Sequence, residues 1–339
     1  MLNTTIQQFY KMKEILNELF EHKSLSYEKA KEILTNIGQG KYNQSQIAAF
    51  LTVYLMRSIT IDELAGFRDA LLDLCVKVDL SSFETIDLCG TGGDGKDTFN
   101  ISTLTSFIVA GAGYKVSKHG NYGVSSGVGS SNMLEYLGYK FTNDPSKIKK
   151  AIDKAGICFL HAPLFHPAMK NVGPVRRELK AKTFFNILGP MVNPSFPQNQ
   201  MVGVYNLEVA RLYAYLYQKS DKNFAIIHNL DAYDEVSLTD NFKRITQTSD
   251  EILSPDYFGF EKIKPEQIAS GGNVEQAAKI FIDILEGKGS DAQTNVVLAN
   301  AALAIRLMNK KTIGDCLEEA RESLDSGRAH KSLKTLLDL

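Results

Sequence analysis

A strand that ends in glycine, followed by a helix that starts on polar residues, constrains this chain more than any other feature. "ETIDLC" is a short apolar run with strand character, "GTGGDGKDTFNIST" follows it, and "LTSFIVAGAG" then reads as a helix. Gly90, Gly92, Gly93 and Gly95 fall within six residues. The same succession recurs after "YKVSKHG", with "NYGVSSGVGSS" leading into "SNMLEYLG". "ICFLHAP", "MVGVY" and "FAIIHNL" read as further strands, and "DPSKIKKAIDKAG" and "LEVARLYAYLY" as helices among them. Asp144 is placed to cap one of these helices, Pro145 to occupy its first turn and Gly156 to stop it. Alternation of this kind predicts an α/β unit with a mostly parallel sheet covered on both faces.

The rest of the chain breaks that rhythm. Residues 1 to about 80 read as all helix, with Ile47, Phe50, Leu51, Tyr54 and Leu55 forming one apolar stripe. Thr60 and Glu63 have the spacing of a capping box. "HPAMKNVGPVRRELKAKTFFNILGPMVNP" carries prolines at both ends and reads as a segment that leaves the α/β unit and returns. From "TNVVLANAALAIRLM" onward the chain is helical again. The expected division is a helical domain over 1–80, completed by about 168–195, and an α/β domain over 81–167 and 196–339.

Bulk properties exclude some classes. A net charge of −1 disfavours a general nucleic-acid binder. "MLNTTIQQFYKMKEIL" is amphipathic and lacks the apolar core of a signal peptide, and no apolar run approaches a membrane span. Cys75, Cys89, Cys158 and Cys316 form no CxxC pair and sit in apolar sequence, which predicts buried free thiols and suits a reducing cytosol.

Gly90, Gly92 and Gly95 match GxGxxG, but the next strand is basic where a dinucleotide site wants an acidic residue, and no Gly-Lys-Ser/Thr follows as in a Walker loop. A tight turn without a ligand is the plain alternative. The neighbourhood favours phosphate. Asn100, Ser102 and Thr103 lie at a helix start, where free amides and hydroxyls form an anion site. The second loop adds Lys118, hydroxyls and another helix start, and ten of the 25 glycines fall between Gly90 and Gly129. Loops at the carboxyl ends of parallel strands converge, so two such loops suggest more than one phosphate group. Taken singly, other residues stay open: Lys118 could be a solvated loop lysine, Asp234 with Glu235 a surface acidic pair, and Arg176 a surface arginine paired with Glu178.

"GTGGD", "NIST", "KHGN", "SS" with a later serine before "MLEYLG", "HPAMK…VRRELKAKTFFNILGPMVNP" and "DEVS" occur in an order that resembles the anthranilate phosphoribosyltransferase family over nearly the whole chain. The resemblance implies a small helical domain joined to a larger α/β domain of the nucleoside phosphorylase/phosphoribosyltransferase type, paired as a homodimer through the helical domain. It implies a cytoplasmic enzyme of tryptophan biosynthesis, with no nucleic-acid or membrane partner. The expected reaction moves ribose 5-phosphate from phosphoribosyl pyrophosphate to the amino group of anthranilate. Carried over residue by residue, Gly90, Gly93, Asp94, Thr98, Asn100, Ile101, Ser102, Thr103, Lys118, His119, Gly120, Asn121, Tyr122, Gly123, Val124, Ser125, Ser126 and Ser130 surround the sugar pyrophosphate. Gly90, His119, Asn121 and Arg176 surround anthranilate, with a guanidinium fork suited to its carboxylate. Ser102, Asp234 and Glu235 hold Mg²⁺, two ions per site, and one or two carboxylates suffice for an ion that keeps its waters. His166 braces a loop, and no general base is assigned.

The chain departs from the family in loop charge. Tyr122 and Gly123 stand where the family commonly has Arg-Ala, Gly127 and Val128 where it often has Arg-Ser, Asn132 where Asp is usual, and Ala232-Tyr233 where Gly-Leu is frequent. A pyrimidine nucleoside phosphorylase shares this architecture but carries Lys-His-Ser before its glycines, where this chain has Asp87, Leu88 and Cys89. A nucleic-acid-binding relative would be basic and would lack the acidic pair, and a dinucleotide oxidoreductase fits least.

Overall fold

The computed structural model describes residues 12–123 and 128–339. The chain divides into two compact units, Met1–Lys77 with Pro163–Pro194, and Val78–Ala162 with Ser195–Leu339.

The first unit is helical. A run over 12–20 (α1) leads to α2 (Tyr27–Gly38), α3 (Gln44–Met56) and α4 (Ile61–Leu74). Each of the last three starts where a polar side chain satisfies a free amide: Ser26, Asn43 and Thr60 accept from Lys29, Gln46 and Glu63. Thr60 and Glu63 close a full capping box. Gly66 lets α4 lie against α2, since a Cβ there would meet the Tyr27 carbonyl oxygen at 2.5 Å. Phe50, Tyr54 and Phe67 pack edge-on around Phe184 or stack with it, so the excursion 163–194 supplies part of this core. Ile47, Phe50, Leu51 and Tyr54 are buried as the stripe predicts, but Leu55 is 41% exposed because it falls at the stripe's edge.

The second unit holds a seven-stranded sheet: β1 (Thr85–Gly90), β2 (Lys115–Gly120), β3 (Ile157–His161), β4 (Asn199–Gly203), β5 (Asn223–Asn229), β6 (Phe242–Thr246) and β7 (Asp250–Leu253). The spatial order is β3-β2-β1-β4-β5-β6-β7. The first five are parallel, while β6 and β7 add an antiparallel edge. Sequence reading misses that edge because "FKRIT" and "DEIL" are short and mix charged with apolar residues. Helices α5 (Ile101–Gly111), α6 (Ser130–Tyr136) and α7 (Pro145–Ala155) follow β1 and β2. Asp144 caps α7, Pro145 fills its first turn, and Gly156 ends it at φ 75°. After the excursion, whose middle is α8 (Gly173–Leu179), come α9 (Leu207–Tyr217), α10 (Val274–Leu285), α11 (Asp291–Asn309), α12 (Ile313–Asp325) and α13 (Arg328–Leu337). The apolar α5 is buried along nearly its whole length against the sheet, α11 and α13. All four cysteines are free thiols, but only Cys158 and Cys316 are buried; Cys75 and Cys89 are half-buried, a correction to the sequence reading.

Candidate active site

From β1 the chain moves outward to β2 and β3, then returns to place β4 on the other side of β1. The direction of winding reverses between β1 and β4, and in open α/β sheets the crevice at the carboxyl ends of such strands is where ligands bind. Gly90 and Gly203 end these two strands in register. Neither has room for a side chain, because Asp234 fills the space: a Cβ on Gly90 would meet Asp234 Oδ2 at 2.3 Å, and one on Gly203 would overlap the Asp234 carbonyl oxygen. The acidic residue of the loop after β5 is thereby set on the switch point.

The first glycine loop closes over it. Gly92, Gly93 and Gly95 have φ of 63°, 79° and 76°, a region side chains disfavour. The Thr91 amide donates to the Gly203 carbonyl at 2.9 Å and the Gly92 amide to Asp234 Oδ2 at 2.7 Å. Thr98 donates to Glu235 Oε2 at 3.4 Å. Asn100 Nδ2 donates to the Val128 carbonyl at 3.1 Å, tying the first loop to the second. Thr91 Oγ1, Asn100 Oδ1 and Thr103 Oγ1 are buried and have no partner among the described residues. Ile268–Ser270 anchors the loop from behind: Phe99 donates to Ile268 O, Ser270 N to Asp97 O, and Ser270 Oγ to Asp97 Oδ1. No local pattern in the sequence announces that anchor, which exists only through the tertiary fold.

Charge in this corner is out of balance. Asp234 is buried and Glu235 half-buried. Burial pushes both carboxyls above their usual range, the charge of Asp94 pushes the same way, and Asp234 pushes Glu235 further. Asp94 is itself raised by burial, against amides that favour its charged form. Lys118 is not a solvated loop lysine. It lies in β2 with 2% exposure, and its Nζ donates to Leu88 O at 2.5 Å and to Ser102 Oγ at 3.4 Å. Burial lowers its pKa, while Asp87, Cys89, Glu235 and Asp234 support its charge. Lys118 thus faces Asp87, Asp234 and Glu235, while Lys96 favours the charged form of Asp94. Among the described residues no three acidic, cysteine or histidine side chains form a closed metal cage. An acidic pair plus a serine hydroxyl suits a hydrated divalent cation, which takes one or two carboxylates and completes its shell with water and phosphate oxygens.

The second loop starts where His119 donates its amide to Asp87 Oδ1 at 3.2 Å. Gly120 leaves room for Ser130 Oγ, which a Cβ would meet at 2.4 Å. Ser130 Oγ donates to Asn121 O at 3.3 Å, and the Tyr122 hydroxyl donates to Glu135 Oε1 at 3.2 Å. Val124, Ser125 and Ser126 lie outside the described residues. Gly90, Gly93, Asp94, Thr98, Asn100, Ile101, Ser102, Thr103, Lys118, His119, Gly120, Asn121, Tyr122, Gly123, Ser130, Asp234 and Glu235 all belong to the α/β unit.

Arg176 belongs to the helical unit, on α8. It does not pair with Glu178, which is exposed, and among the described residues no carboxylate lies in ion-pair range of it. Its guanidinium lies 5.3 Å from the centre of the Phe185 ring and donates to Asn186 Oδ1 at 3.3 Å. Burial lowers its pKa. His166 Nε2 donates to Val192 O at 2.9 Å, bracing the start of the excursion against its end.

Residues 82–330 match the family described as "Glycosyl transferase family, a/b domain", and residues 13–75 its helical bundle domain. An anthranilate phosphoribosyltransferase of Christiangramia forsetii is 61% identical over 97% of this chain and 99% of its own length. One from Flavobacterium johnsoniae is 62% identical over the same shares. Among solved structures, the enzyme of that name from Saccharomyces cerevisiae, in complex with PRPP and Mg, superposes with a TM-score of 0.90 at 28% identity, covering 97% of each chain. The Thermus thermophilus enzyme gives 0.88 at 28% identity, covering 95% of this chain and 98% of its own.

Proposed function

We infer the roles of these residues from one premise: the chain belongs to the anthranilate phosphoribosyltransferase family. It transfers the 5-phosphoribosyl group of phosphoribosyl pyrophosphate to the amino group of anthranilate, giving N-(5-phosphoribosyl)anthranilate and pyrophosphate. The observation that carries the reading is Asp234 seated on Gly90 and Gly203 at the switch point and bonded to the glycine loop.

In our reading the amides around Gly90, Gly93 and Asp94, with Thr98, Asn100, Ile101, Ser102 and Thr103, hold the pyrophosphate end. The second loop, His119 to Ser126 with Ser130, holds the sugar phosphate, while Lys118 fixes Ser102 from beneath. Asp234, Glu235 and Ser102 would hold Mg²⁺, two ions per site, which would neutralise charge on the leaving pyrophosphate. The anomeric C–O bond breaks with its electron pair going to pyrophosphate, and positive charge develops on the ribose ring. The amine attacks the opposite face, forms the C–N bond and inverts the centre. Its surplus proton passes to solvent water after attack, so positioning and leaving-group stabilisation dominate over base assistance. Arg176 forks the anthranilate carboxylate, supported by its burial without a carboxylate partner, and Gly90, His119 and Asn121 border the acceptor.

We assign the chain to a homodimer joined through its helical unit, where Phe20, Leu55 and Met56 are 59%, 41% and 83% exposed. We assign it to the cytoplasm, a compartment that suits four free thiols. Among the described residues no helix is long and apolar enough to cross a membrane. Anthranilate fluorescence tests the activity: it should disappear only when phosphoribosyl pyrophosphate and Mg²⁺ are both present. Phosphorolysis of thymidine or uridine without anthranilate consumption would replace this reading with a nucleoside phosphorylase.

A further inference from the structure

We propose that Asn132 is a positioning residue of the sugar-pyrophosphate site, joining Gly123 to Gly129 with one neutral oxygen so that Asn121, Tyr122 and Ser130 are preset to meet the substrate. Asn132 Oδ1 accepts from the Gly123 amide at 2.9 Å and from the Gly129 amide at 3.0 Å. A carbonyl oxygen has two lone pairs, and both are used here. The two glycines are six residues apart in sequence, so a single side chain joins the loop's two ends. The neck is a backbone-on-backbone approach: a Cβ on Gly129 would lie 2.2 Å from the Gly123 amide nitrogen and 2.8 Å from Asn121 O. The Ser131 amide closes the same neck by donating to Asn121 O at 3.1 Å.

A carboxylate at 132 could accept the same two bonds, but it would set a negative charge beside a polyanionic substrate. In this chain the adjoining position is Tyr122, whose hydroxyl is turned to Glu135, so the loop offers no arginine there to offset such a charge. The neutral carboxamide keeps the clamp and omits the charge. Asn132 acts through the loop and not on the reacting atoms. The proposal rests on the reading of Asn121, Tyr122, Gly123 and Ser130 as part of the sugar-pyrophosphate site.

Two measurements on the full-length protein test it. Hydrogen exchange at the Gly123 and Gly129 amides, without substrate, should be slow in the wild type and in Asn132→Asp, and at least about tenfold faster in Asn132→Ala. Fast exchange in the wild type overturns the clamp, whatever the activity. In steady-state assays Asn132→Ala should raise KM for phosphoribosyl pyrophosphate about tenfold or more at any ionic strength, with kcat and KM for anthranilate within about twofold. Asn132→Asp should raise that KM about threefold at low salt and return to the wild-type value near 0.5 M salt, where charge is screened. An unchanged KM in Asn132→Ala, or equal rises for both substrates, overturns the role in positioning. A slow-exchanging wild type that does not consume phosphoribosyl pyrophosphate keeps the clamp but removes the substrate reading, and with it the role.

Discussion

Two regions of this molecule bury charge, and they do so in opposite ways. In the helical unit Glu63 is fully buried, yet each of its oxygens is satisfied. It accepts from Arg57 at 2.5 and 3.0 Å, from the Leu25 amide at 3.0 Å, from the Thr60 amide at 2.9 Å and from the Tyr54 hydroxyl at 3.1 Å. Burial alone would raise its pKa; Arg57 and these donors more than offset that, and the carboxyl lies below its usual range. In the α/β unit Asp234 and Glu235 are pushed up by burial and by the charge of Asp94, and Glu235 also by Asp234. The first arrangement is complete as it stands. The second holds like charges together, and under the proposed function a cation and a ligand would complete it. A buried carboxylate is thus informative through its partners, not through its burial.

The strongest way to break this contrast is to remove the acidic pair. Asp234→Ala with Glu235→Ala should lower Mg²⁺-dependent turnover by at least about 10²–10³-fold, while thermal unfolding without ligand stays near the wild type. Wild-type-like turnover at limiting Mg²⁺ would remove the pair from the site. Removing the other carboxylate should have the reverse signature. Glu63→Ala leaves Arg57 without its partner and should destabilise the protein by about 3–5 kcal/mol in urea unfolding, with kcat of the folded protein within about twofold. The same group gives a pH test. Its folded pKa is depressed, so its contribution is present above the unfolded value of about 4.3 and is lost as pH falls through the folded value. Wild-type stability should decline over that acid range, and Glu63→Gln should flatten the decline.

Arg176 extends the contrast to a cation, since it is desolvated without a carboxylate partner. Arg176→Ala should raise KM for anthranilate about tenfold or more and change stability little, with Arg176→Lys recovering part of the loss. Equal rises in both substrates' KM would give Arg176 a structural role. The smallest effect concerns backbone strain beside the acidic pair. Ala232 has φ 78°, in the region that suits glycine. Ala232→Gly should stabilise the protein by about 0.5–1 kcal/mol, read as a raised melting temperature.

Much of this was legible in the sequence where the signal is local. The Thr60–Glu63 capping box, the Asp144-Pro145 helix start, the glycine loop between β1 and α5 and the parallel strands all follow from short-range spacing. What the spacing left dark is tertiary. It marks Glu63 as a cap but not as the partner of Arg57 and Tyr54. It leaves Lys118 looking like a loop lysine, because only strand pairing shows β2 carrying it beneath Ser102. The β6–β7 edge mixes charge with short apolar stretches, and the Ile268–Ser270 anchor joins residues far apart in the chain. The Asn132 clamp was visible only as a departure, its two glycine partners undeclared.

Unfolding of the wild type and of Asp234→Asn with Glu235→Gln, each with and without Mg²⁺ and phosphoribosyl pyrophosphate, bears most directly on the claim that the acidic corner is incomplete without its ligands. Relief of like-charge crowding should make the ligand-free variant as stable as the wild type or more so. Saturating ligands should stabilise the wild type, by about 2.7 kcal/mol at a hundredfold excess over Kd, and leave the variant nearly unmoved. A variant that is less stable without ligand, yet gains as much from Mg²⁺ and phosphoribosyl pyrophosphate as the wild type does, would show that Asp234 and Glu235 are structural charges like Glu63.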